Sequence, residues 1–174
     1  MNRLATPAPG KTFRLSRPSD RRRALMSGLL FVSLGFAAPS ARAQSTFEIT
    51  MAPTITCMSL MNIDYLSGWL RQHLNAPYKN EGGADWFNAS NKTLFGIPLQ
   101  DIFISDGSSQ YMFIGALFKA PVAKVMAAVD AAGSGNFIAG SEAGQFVSAS
   151  GAIAMSYGQG TMSKLYCAGI ANFR

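Results

Sequence analysis

Histidine is almost absent from this chain, with one residue in 174, and cysteine occurs only twice. Those scarcities exclude a good deal of chemistry. A zinc centre wants three or four His, Cys or carboxylate ligands, which one histidine and scattered acids do not supply. General acid–base catalysis near neutral pH most often employs a histidine. The single one, His73, falls near the end of a helical stretch, where a cationic ring suits the negative end of the helix dipole. A catalytic thiol would have to borrow the same residue as its base. Charged side chains make up only 14% of the chain, and no internal repeat is visible.

Cofactor signatures are missing as well. The stretch from Tyr157 to Lys164, YGQGTMSK, lacks the G-x-x-x-x-G-K-[ST] spacing of a phosphate loop and falls in an expected hairpin instead of before a helix. Residues 80–85, NEGGAD, lack the spacing of a calcium-binding EF-hand loop. Glu81 and Asp85 lie four apart and form the one acid pair from which a carboxylate-dependent hydrolase could be built. Acids in a glycine-rich loop are more commonly just solvated. The expectation is therefore a chain without cofactor or metal and without a catalytic centre. The triplets at 88–90 and 91–93 fit a glycosylation pattern too short and common to carry weight.

The basic balance of the chain, +6 overall, would raise nucleic acid as a partner. Its distribution removes that reading. Of fifteen basic and nine acidic residues, eight basic ones (Arg3, Lys11, Arg14, Arg17, Arg21, Arg22, Arg23, Arg42) and one acid (Asp20) fall in 1–43. Residues 44–174 keep seven and eight, a net of −1. No cationic stripe remains there for a nucleic acid to follow.

The first 43 residues read as an export label. Three arginines, Arg21 to Arg23, precede the apolar run 24–38, Pro39 breaks it, and Ala41-Arg42-Ala43 offers small residues where a signal peptidase reads. The run is too short for a comfortable membrane span, which needs roughly 20 residues, so no permanent anchor is expected. Cleavage is expected between Ala43 and Gln44. Arg22-Arg23-Ala24-Leu25-Met26 resembles the bacterial twin-arginine pattern, and a Sec signal fits as well. Either route leads to the periplasm or the exterior. There an even pair of cysteines reads as one disulfide, Cys57 to Cys167.

The mature body, 44–174, is long enough for one domain with one core. Phe47, Ile49 and Met51 alternate with polar residues and suggest a short edge strand before Pro53. Over 57–74 the period becomes helical, with Leu60, Ile63, Ser67, Leu70 and Leu74 on one face and Thr56 or Ser59 as the cap. Met58 and Met61 read as core filler. Residues 75–93 show no period and read as a long loop. Two β-prone runs, 97–105 and 110–118, flank Asp106-Gly107 as a hairpin. A helix over 121–132 begins at a proline and ends before Gly133. Glycine-punctuated strands follow, with a second hairpin of 152–157 and 162–167 around Gly158-Gln159-Gly160. The fold class that results is α+β: one small domain, an antiparallel sheet with two helices packed against it, and one disulfide.

One constellation points to recognition. The loop 75–93 carries Tyr78, Trp86 and Phe87 among small polar residues, and rigid amphipathic rings are what binding surfaces employ. With so little catalytic inventory, the function expected is that of a small exported, non-catalytic binding protein, an inhibitor or adaptor of a protein in the cell envelope. A structural or assembly role in the envelope and a Glu81/Asp85 hydrolase are the alternatives.

Overall fold

The computed structural model describes residues 44–59 and 61–169. The expected signal segment with its cleavage residue Ala43, and Leu60, lie outside the described residues.

The described residues open in a helix where alternation suggested a strand. Helix α1 spans Thr46–Ile55, and Ser45 caps it by accepting a hydrogen bond from the Glu48 amide at 3.2 Å. Its buried residues are Phe47, Met51, Thr54 and Ile55, whereas Ile49 is 60% exposed. The spacing 47, 51, 54, 55 is helical, so the alternation at 47, 49 and 51 was a coincidence of composition. Pro53 lies inside α1, which ends two residues later. The buried hydroxyls of Thr54 and Thr56 bond back to the carbonyls of Thr50 and Ala52 at 2.8 Å each, so both are satisfied where they lie.

Helix α2 is Ile63–Leu74, shorter than the periodic stretch suggested. Its cap is Asn62, whose Oδ1 accepts from the Tyr65 amide at 3.0 Å, and neither Thr56 nor Ser59 has that part. Cys57 consequently sits in the turn after α1, with φ of 59°. Met58 is 58% exposed and is not core filler, while Met61 does pack against the core.

The segment expected to be a long loop is mostly strand. β1 (Lys79–Glu81) and β2 (Ala84–Asn88) form a hairpin closed by Gly82 and Gly83, at φ of 65° and 73°. Two successive positive φ angles are what a type I′ turn requires, and glycine adopts them without strain. β3 (Thr93–Leu94) then turns through Phe95-Gly96 into β4 (Ile97–Ser105). The expected hairpin around Asp106-Gly107 joins β4 to β5 (Phe113–Phe118), and α3 (Val122–Ala131) follows with Pro121 as its N-cap. Four strands complete the described residues: β6 (Ile138–Ala139), β7 (Gln145–Val147), β8 (Ile153–Tyr157) and β9 (Met162–Ala168).

All pairings are antiparallel, in the order β1-β2-β4-β5-β9-β8-β7-β6, with β3 beside β4. The last described strand thus lies in the interior of the sheet. The helices pack on one face: α1 meets β3, β5 and β9, α2 meets β2 and β4, and α3 meets β8 and β9. Their apolar stripes and the inward residues of the strands make one core around Met51, Leu70, Ile102, Phe118, Val125 and Leu165. The fold is therefore mixed and antiparallel as expected, with three described helices where two were expected, and it is dominated by its nine described strands. The disulfide is present. Cys57 and Cys167, 110 residues apart, join the turn after α1 to β9 with a Cα–Cα distance of 5.2 Å. No helix among the described residues is long and apolar enough to cross a membrane.

Candidate functional site on the open sheet face

Strand alternation decides what the second face of the sheet presents. In β4 the register shifts between Leu99 and Asp101. This bulge leaves Ile97, Leu99, Ile102 and Ile104 on the core side and turns Asp101, Phe103 and Ser105 to the opposite face, where all three are still buried. Pairing then aligns Trp86 with Phe103, Phe103 with Gly115, and Gly115 with Tyr166 across β2, β4, β5 and β9. The result is a second apolar cluster of Ala84, Phe103 and Leu117, with Trp86, Phe113 and Tyr166 packed against it. No helical residue among those described belongs to it.

Phe103 is its centre. Trp86 lies 4.9 Å from it, Phe113 6.1 Å and Tyr166 6.5 Å, all tilted, the geometry aromatic pairs favour. The ring fits because its neighbour is Gly115. A Cβ there would stand 2.3 Å from Phe103 Cζ, 2.5 Å from Tyr166 Cβ and 2.8 Å from the Leu165 carbonyl oxygen. Two lysines cover the rings. Lys79 Nζ lies 4.8 Å from the Trp86 ring, and Lys164 Nζ lies 5.1 Å from Phe103 and 5.5 Å from Tyr157. Both are within cation–π range.

The two lysines differ in their partners. Lys79 pairs with Glu81. Lys164 is half-buried and forms no ion pair among the described residues, and burial holds its ammonium below the usual lysine range. Asp101 is only 6% exposed, and its Oδ1 has no hydrogen-bond partner. Burial raises its carboxyl above the usual range, against the opposing pull of the Tyr78 hydroxyl, Lys79 and Lys119. Tyr78 is raised in turn, by its own burial and then by Asp101.

The three aromatics expected to form one binding loop are separated by this geometry. Phe87 is fully buried in the main core, which removes it from any recognition surface. Trp86 faces the opposite way, as the next residue of a strand must, and joins the open face. Tyr78 is 58% exposed beside Asp101. Sequence reading missed Phe103, Tyr157, Lys164 and Tyr166. The alternation Met162, Lys164, Tyr166 in β9 was a usable signal, because it gives that strand a second non-solvent face.

The hydrolase pair does not converge. Within the β1–β2 hairpin Glu81 lies opposite Ala84 and Asp85 opposite Asn80, so the two acids project from opposite faces. Asp85 is held by Arg71 at 3.0 Å and by the Asn80 amide at 3.0 Å, and Asn80 also donates to Asp106 at 2.7 Å. Hydrogen bonds from Ser108 and Asn80 hold the Asp106 carboxyl below its usual range. Such an arrangement ties the β1–β2 hairpin to α2 and to the β4–β5 turn. His73 stacks on Trp69 at 3.9 Å in the last turn of α2, with Nδ1 2.8 Å from the Trp69 carbonyl oxygen. Among the described residues no group of three or more His, Cys, Asp or Glu is placed to hold a metal ion. The chain matches no known family model, no curated protein and no solved structure.

Proposed function

We propose that the protein is an exported, non-catalytic binding domain that engages a protein partner in the cell envelope through its open sheet face. The observation that carries this reading is the cluster on the face opposite the helices, in which Phe103 is itself only 3% exposed and the rings packed around it, Trp86, Phe113 and Tyr166, are only partly buried. Tyr157 is 40% exposed, and Ile138, at the far edge of the same sheet, 71%. A sheet face of this kind suits a macromolecule, whereas small ligands prefer concave sites. Aromatic anchors ringed by lysine and other polar groups follow the anatomy of protein interfaces.

Export to the periplasm or beyond is supported by the basic, apolar and small-residue order of residues 1–43 and by the disulfide. Cleavage after Ala43 would leave Gln44 first and keep Ser45 as the cap of α1. An inhibitor or adaptor is the form to test first. The experiment is affinity capture with the oxidised mature domain from envelope extract, comparing the natural chain with Trp86→Ala. A discrete partner whose retention falls at least about thirtyfold in the variant, the effect of losing one aromatic anchor, is the expected result. Equal retention by both chains would remove the open face from the function.

A further inference from the structure

Resting on the proposal that the open sheet face is a docking surface, we infer that Lys164 receives a carboxylate, an Asp or Glu side chain of the protein partner, between the rings of Phe103 and Tyr157. The argument starts from what happens to each charge when the face is covered. Lys79 brings its own counter-ion, Glu81. Lys119 is exposed to solvent and within electrostatic reach of Asp101. Lys164 has neither. It lies 5.1 Å from the Phe103 ring centre and 5.5 Å from that of Tyr157, half-buried, with no acid of its own among the described residues.

A docked surface takes the remaining water from that ammonium. An uncompensated buried charge is among the most costly features an interface can contain, so a partner that covers Trp86, Tyr157 and Tyr166 must supply an anion at this point. Charge complementarity here selects a carboxylate-bearing partner over a purely apolar one. Its position is also central. Lys164 pairs with Leu117 on β5 and with Met155 on β8, so its neighbours on both sides are apolar residues of the same face. A contact made there is shielded from solvent and counts for far more than one at a rim.

The test uses whole cells that express the full chain. A photo-crosslinking residue replaces Ile153, which pairs with Tyr166 beside the cluster, and in a control replaces the exposed Gln72 of α2. The expected result is one discrete adduct from position 153 and none from position 72. Lys164→Met, which keeps the stem over the rings and removes the charge, should lower that adduct at least about tenfold. Lys164→Arg should keep most of it. Thermal melting of Lys164→Met should show no loss of stability, because the substitution removes a half-buried charge. A zero-length carbodiimide should couple Lys164 to an Asp or Glu of the same adduct protein. An adduct at 153 that is unchanged by Lys164→Met and accompanied by no Lys164 coupling would overturn the carboxylate contact and leave the docking face standing. No adduct at 153 would overturn both.

Discussion

Removing the disulfide should have a large effect whose size follows from the chain. Cys57→Ala/Cys167→Ala opens a loop of 110 residues. In the chain-entropy account the lost constraint on the unfolded state amounts to about 5 kcal/mol at 25 °C, of the same order as the whole stability of many domains. For a body of this size that corresponds to a fall in Tm of roughly 15–20 °C. A second contribution works the other way. Cys57 is held at φ of 59°, in the left-handed region that costs a residue with a Cβ about 1 kcal/mol. Cys57→Gly/Cys167→Ala should therefore lie about 1 kcal/mol above the alanine pair. Urea denaturation of the oxidised natural protein and of the two cysteine-free variants measures both differences. A loss below about 1 kcal/mol for the alanine pair would refute the loop argument. Equal stability of the two variants would refute the strain at Cys57.

Two further substitutions test the open face from beneath. Gly115→Ala brings a Cβ within 2.5 Å of Phe103 and Tyr166 atoms, and within 2.8 Å of the rigid Leu165 carbonyl. It should cost about 3 kcal/mol in urea denaturation, and a loss under 1 kcal/mol would show that the cluster is loosely packed. Asp101→Asn should raise stability at neutral pH. Burial raises the Asp101 carboxyl in the folded protein, so ionisation is resisted there more than in the unfolded chain. The handicap is fully present above the folded value and disappears in acid below the usual value of 3.8. Melting curves at pH 7 and near pH 3 should show the advantage of the variant shrinking to nothing, and a variant less stable at pH 7 would contradict the assignment.

Much of the fold could be read from periodicity and turn chemistry, and the exceptions have physical causes. The runs 97–105 and 162–167 are strands because their β-prone residues are bounded by Asp106-Gly107 and Gly158-Gln159-Gly160, which take turns cheaply. Helix α1 escaped because Phe47, Ile49 and Met51 mimic alternation, and Pro53 argues against a helix that in fact tolerates it for its last turn. The β1–β2 hairpin escaped because every residue of β1 is exposed. A strand that buries nothing leaves no pattern, and Gly82-Gly83 alone was the signal. The candidate site was legible at Trp86 and not beyond it. Which side of β4 faces outward depends on the bulge at Gln100, and pairing across four strands, not proximity in sequence, assembles Trp86, Phe103, Gly115 and Tyr166.

The location of β9 has a consequence for how the protein is made. Its seven residues are the last described strand of the chain, yet they fill the slot between β5 and β8. Until they arrive, two halves of the sheet present raw edges to one another and to any neighbour. A chain made from its amino end thus stays unfinished until β9 arrives, and Cys57 must wait for Cys167, 110 residues further on. With only two cysteines among 174 residues, that wait carries no risk of choosing a wrong mate within the chain, and ring closure coincides with the moment the gap is filled. A stop codon ahead of residue 162 should yield aggregated material, not a shorter working domain.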